Sequence, residues 1–152
     1  MAVEVGQEAP DFELESDSGQ RVRLSSLRGS PVVLFFYPKD DTPGCTLQAS
    51  EIRDAWSEFK ATGATVIGVS PDDIESHRRF RQKYDLPFTL LADPDHAVAD
   101  EYGVWQEKSY QGKTYMGIDR STFVIDADGN VAEVMRGVKP AEHADDVLKA
   151  LA

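Results

Sequence analysis

Apolar residues fall in short blocks separated by charged stretches, and the spacing inside each block separates strand from helix. The run Val32-Val33-Leu34-Phe35-Phe36-Tyr37 is apolar on both faces and lies between Pro31 and Pro38, which predicts a strand buried in the middle of a sheet. Thr65-Val66-Ile67-Gly68-Val69 predicts a second such strand. Between them, over Thr46 to Lys60, Leu47, Ile52, Ala55, Trp56 and Phe59 recur at helical spacing, while Glu51, Arg53, Asp54 and Glu58 occupy the other faces. A strand, a helix and a strand in that order imply parallel strands joined by a right-handed crossover.

Pro71-Asp72-Asp73 opens a second predicted helix, Ile74 through Tyr84, with acids placed to complement the backbone dipole. Leu86 to Leu91 offers a short strand, and Asp95 through Tyr102 a short helix stopped by Gly103. Ser121 to Ile125 and Val131 to Met135 flank Asp126-Ala127-Asp128-Gly129-Asn130, the signature of an antiparallel hairpin. Pro140 through Leu151 reads as a closing helix with Val147, Leu148 and Leu151 as its apolar stripe. Ahead of the first strand the chain reads as irregular, with a turn at Ser18-Gly19. The order predicts an α/β domain of the thioredoxin-like kind, three α/β/α layers around a central mixed sheet.

Composition fits that picture: 152 residues, 41% hydrophobic and 28% charged, suit one domain over residues 1–152 with a single ordinary core. The acidic start does not read as a secretory signal, and Val32 to Tyr37 is too short to span a bilayer, so a cytoplasmic protein is expected. A net charge of −11 opposes nucleic acid and anionic membranes as partners. The basic run His77-Arg78-Arg79-Phe80-Arg81 reads as a solvated helix face. His77, His96 and His143 are expected at the surface, and with one cysteine they make no zinc-type spacing. The pairs Asp40-Asp41, Asp72-Asp73 and Asp145-Asp146 read as turn and helix-start residues.

The chemistry concentrates on the one cysteine. Cys45 lies in Phe36-Tyr37-Pro38-Lys39-Asp40-Asp41-Thr42-Pro43-Gly44-Cys45-Thr46, between the buried strand and the first long helix, where ligands bind in open α/β sheets. In the first helical turn its sulfur meets the positive end of the dipole and unpaired N–H groups, both favouring thiolate over thiol. The alternative is a small inert cysteine packed in the core.

Pro38, Thr42 and Cys45 form P-x-x-x-T-x-x-C, which resembles the active-site loop of the peroxiredoxins. YPKDDTPGCT, Tyr37 to Thr46, resembles their PrxQ, or bacterioferritin-comigratory-protein, subfamily. Gly103-Val104-Trp105 and, after Gly112 to Met116, Gly117-Ile118-Asp119-Arg120-Ser121-Thr122 through Asp126 are similar to the segment that carries the subfamily's arginine, and Arg120 falls at that place. Gly6 through Phe12 resembles the family's N-terminal segment. The resemblance implies the peroxiredoxin type of thioredoxin-like fold, no cofactor, and a peroxidase acting on hydrogen peroxide and organic hydroperoxides. It implies Cys45 as nucleophile, Arg120 as the charge that holds the thiolate, Thr42 as a hydroxyl on the peroxide, N–H donors at Gly44 and Cys45, and Pro38 as a shield against water. It also implies a monomer.

One position departs from the subfamily. Many PrxQ proteins carry a resolving cysteine five residues after the first, and this chain has Ser50 there. With Cys45 alone, a one-cysteine mechanism is expected, reduced by an outside thiol: thioredoxin, a glutaredoxin-like protein or a small thiol. Taken singly, Thr42 fits a helix N-cap and Arg120 a surface charge equally well. A dithiol oxidoreductase would need C-x-x-C, and a cysteine hydrolase a histidine beside the loop. A redox sensor or holdase of the same fold is the remaining alternative.

Overall fold

The computed structural model describes residues 3–152. In chain order come β1 (Glu13–Ser16), β2 (Arg21–Arg23), a 3-10 turn at Leu24–Leu27, β3 (Val32–Phe36), α1 (Pro43–Asp54), α2 (Trp56–Ala61) and β4 (Thr65–Ser70). Then follow α3 (Ile74–Lys83), β5 (Thr89–Ala92), α4 (Ala97–Glu101), β6 (Trp105–Tyr110), β7 (Lys113–Ile118), β8 (Ser121–Ile125), β9 (Val131–Met135) and α5 (His143–Leu151). The main sheet runs β2-β1-β5-β4-β3-β8-β9, with β3, β4 and β5 parallel and β8 antiparallel to β3.

The strand period of two divides the apolar residues of β3 between two cores. Val33 and Phe35 face one side, with Cys45 and Ile52 of α1, Phe59 of α2, Phe80 of α3 and Val147 of α5. Val32, Leu34 and Phe36 face the other, with Val98 of α4, Tyr102 and Phe123. A Cβ at Gly68 would stand 2.8 Å from the Phe35 ring, so glycine is what allows that ring to lie across β4. No helix among the described residues is long and apolar enough to cross a membrane.

Two expectations change and one element is added. The helix predicted over Thr46 to Lys60 begins earlier, at Pro43, and breaks at Ala55 (φ −99°, ψ 16°) into α1 and α2. The offset lets Trp56 stack on Phe59 and meet Phe88. The irregular start contains an antiparallel hairpin, β1 with β2, and β1 also pairs with β5, which leaves β2 as the edge strand. β6 and β7 form a separate two-stranded ribbon whose turn places Gln111 (φ 51°) and Gly112 (φ 78°) both in the left-handed region, as a two-residue hairpin loop requires.

Candidate active site

β3 ends at Phe36, the chain crosses from Tyr37 to Thr42, and α1 starts at Pro43, where a missing N–H costs nothing. The loop between is held from below. Tyr37 donates its hydroxyl to Asp40 Oδ1 (2.6 Å), Ser76 donates to Asp40 Oδ2 (2.8 Å), and the Asp40 N–H donates to Asp72 Oδ2 (2.7 Å). His77 Nδ1 lies 2.7 Å from Asp40 Oδ2, and its Nε2 donates to the Leu91 carbonyl (2.9 Å). Asp41, at φ 57°, takes Lys83 Nζ and the Tyr84 hydroxyl on its carboxylate.

His77 is therefore a correction: it is fully buried, because α3 turns it inward beneath the loop. Asp40 lies in the turn as expected and is in addition a buried anchor for it. In the basic run, Arg78 and Arg81 reach back to Asp17 while Phe80 enters the core, so that face is only partly solvated. Asp40, Asp72 and His77 offer ligand-type atoms within 4.8 Å of one another, but those atoms are taken up by the hydrogen bonds just described.

Cys45 is the third residue of α1 and is 2% exposed. Burial alone would suit an inert core cysteine. The guanidinium against its sulfur would not: Arg120 Nη1 donates to Cys45 Sγ at 3.3 Å and to Gln48 Oε1 at 2.5 Å. Arg120 reaches this place from the short turn between β7 and β8, with its backbone C=O accepting from Val138 N–H (2.9 Å). A Cβ at Gly44 would stand 3.2 Å from Arg120 Nη2, so glycine there gives the guanidinium its close approach to the helix start. The Thr46 N–H donates to the Thr42 carbonyl (2.8 Å), which leaves the N–H groups of Gly44 and Cys45 ahead of the helical ladder.

Thr42 sits at the N-cap position, yet its hydroxyl caps nothing and donates instead to the Lys39 carbonyl (2.9 Å). Its oxygen keeps acceptor capacity for a further partner. Pro38 is half-buried beside Tyr37, and Ser50 is half-buried on α1, in a shallow groove with Thr42, Pro43, Leu47 and Tyr84. Five residues along an intact helix place Cys45 and Ser50 on different faces.

Sequence reasoning missed two further groups. Gln48 shares the Cys45 face of α1, three residues on, and is buried. His143, expected at the surface, is 1% exposed, because the first turn of α5 packs it beside the Phe35 ring. Gln48 Nε2 lies 3.1 Å from His143 Nδ1, and Thr122 Oγ1 lies 2.7 Å from His143 Nε2. Only the i,i+3 spacing of Gln48 is visible locally, since 95 positions separate it from His143.

The two buried histidines titrate in opposite directions. Burial opposes a charge on His77, but its hydrogen bond to Asp40, the Asp40 charge and the Leu91 carbonyl overcome this and raise its pKa above 6.5. Burial, reinforced by the Arg120 charge, lowers His143 to about 4. The stability supplied by His77 is thus full below pH 6.5 and is lost as pH rises through its folded value. That supplied by His143 is full above pH 6.5 and is lost as pH falls toward 4. Urea titrations should show wild type losing about 3 kcal/mol relative to His143→Leu between pH 7 and pH 4. Wild type should also lose stability relative to His77→Gln above pH 6.5. A pH-independent difference in either pair would contradict the assignment.

Residues 5–134 match the AhpC/TSA family. The chain is 48% identical to the putative peroxiredoxin bcp of Coxiella burnetii, over 99% of this chain and all of that one. It is also 48% identical to peroxiredoxin Bcp of Bacillus subtilis, over 99% of this chain and 96% of that one. Its fold superposes on the bacterioferritin comigratory protein of Xanthomonas campestris with a TM-score of 0.90 at 38% identity, covering 97% of both chains. For a mutant PrxQ of Xylella fastidiosa the TM-score is 0.93 at 32% identity, covering 99% of this chain and 96% of that one. The chain therefore belongs to the AhpC/TSA family and, within it, to the Bcp/PrxQ peroxiredoxins.

Proposed function

We propose that this peroxidase reduces hydrogen peroxide and organic hydroperoxides through Cys45, in a one-cysteine cycle completed by an outside thiol. The observation that carries the reading is the Arg120 guanidinium bonded to Cys45 Sγ at the first turn of α1. The thiolate attacks one oxygen of ROOH along the O–O bond; that bond breaks, sulfur is oxidised to sulfenic acid, and the departing oxygen takes a proton and leaves as water or alcohol. Arg120 and the N–H groups of Gly44 and Cys45 stabilise the charge that grows on the oxygens. Thr42, whose own proton goes to the Lys39 carbonyl, accepts a hydrogen bond from the peroxide O–H, and Pro38 keeps bulk water from the loop. A thiol then attacks the sulfenic sulfur and releases water, and a second thiol frees Cys45.

The test is peroxide consumption measured in parallel with thioredoxin, a glutaredoxin system and low-molecular-weight thiols. Sustained turnover with at least one reductant is expected. Oxidation of Cys45 with no turnover in any arm would overturn the cycle and leave a redox sensor.

Ser50→Cys probes the departure from the subfamily. Its sulfur cannot reach Cys45 on an intact helix, so the first turns of α1 must open, as helix ends do at low cost. After one equivalent of peroxide, intact-mass spectrometry should find Ser50→Cys two hydrogens lighter and resistant to dimedone. Accumulation of sulfenic acid in that variant would show that position 50 is no resolving site.

A further inference from the structure

Resting on the proposed role of Arg120, we infer that His143 is a positioning residue, whose neutral imidazole fixes the Gln48 amide so that Gln48 holds Arg120 on Cys45. The hydrogen bonds allow one assignment. Arginine only donates, so the Gln48 atom facing Arg120 is the oxygen and the atom facing His143 is the amide nitrogen. That nitrogen also only donates, so His143 Nδ1 accepts and carries no proton. The ring proton then sits on Nε2 and donates to Thr122 Oγ1.

The row cannot be reversed at one point alone. A proton on Nδ1 would face the Gln48 N–H groups, and rotating the amide to meet it would turn those same donors onto Arg120. Gln48, Thr122 and His143 are each 1% exposed or less, so water is not at hand to repair either mismatch. With its acceptor misplaced, Arg120 Nη1 loses the bond that pins it 3.3 Å from the sulfur. His143 touches neither sulfur nor peroxide in this scheme, and acts only through Gln48.

The tautomer is read without any peroxide. Long-range proton–nitrogen NMR of the folded protein at neutral pH should place the His143 proton on Nε2, and a proton on Nδ1 would overturn the inference. In kinetics, His143→Leu should slow oxidation of Cys45 about tenfold, the size of one weakened donor interaction. His143→Asn, whose Oδ1 falls where Nδ1 sits, should recover most of that rate. Equal losses in both variants would mark a packing role and overturn positioning, as would a wild-type rate in His143→Leu. Should His143→Leu not fold, His143→Asn at less than a third of the wild-type rate serves as the overturning result. In a Gln48→Met background His143→Leu should slow oxidation no further, and multiplying losses would contradict the relay. If the parent itself fails to react with peroxide, the peroxidase reading falls while the NMR result still stands.

Discussion

Stopped-flow mixing of Cys45→Ser with hydrogen peroxide is expected to show no rapid phase, and its steady-state turnover should fall to that of reductant alone. A serine hydroxyl at this place is neither ionised at neutral pH nor able to be oxidised to the sulfenic level, so the step that splits the O–O bond has no nucleophile. The loss should be complete because Cys45 is the only cysteine in the chain. The fold should survive the exchange. Cys45 packs among Val33, Phe35 and Ile52, and Ser differs by one atom and keeps a group that can accept from Arg120. A rapid phase in the variant would remove Cys45 from the mechanism.

Arg120→Met should slow the reaction of Cys45 with peroxide by about 10²-fold or more, as loss of a preorganised donor at a developing charge commonly does. The variant loses both bonds of Nη1 together, one to Cys45 Sγ and one to Gln48 Oε1. Methionine fills similar space without charge or donor, so the change reports electrostatics more than packing. Arg120→Lys should recover only part of the rate, since one ammonium on a flexible stem does not reproduce the guanidinium fork. The second-order rate constant decides it, and an unchanged value would return Arg120 to the role of a surface charge.

What the sequence made legible is set by how local each signal is. The strands Val32–Phe36 and Thr65–Ser70 are apolar on both faces, and the loop to Cys45 keeps its meaning within ten or so residues, so both read directly from the chain. β6 and β7 did not, because Tyr110, Tyr115 and Met116 are exposed and the ribbon leaves no apolar face to betray its period. Only its positive-φ turn at Gln111-Gly112 was local. Glu13–Ser16 escaped for a related reason: a strand of four residues offers too few alternations to stand out.

At the candidate site, the meeting of Cys45 with Arg120 was legible through the motifs around each, whereas the histidines were misread. His77 and His143 stand in charged stretches of helix, and sequence polarity around each argued for solvent. Their burial depends on partners elsewhere in the chain: Asp40 and the Leu91 carbonyl for His77, Gln48 and Thr122 for His143. A buried polar side chain is legible only together with what satisfies it, and those partners meet through the fold.

The measurement closest to the central claim is intact-mass spectrometry of the reduced protein after one equivalent of hydrogen peroxide, with dimedone present in a parallel sample. A single added oxygen located on Cys45 is expected, replaced by one dimedone adduct at the same residue in the parallel sample. An unmodified Cys45 beside unreacted peroxide, or oxygen found only on methionine, would contradict the account.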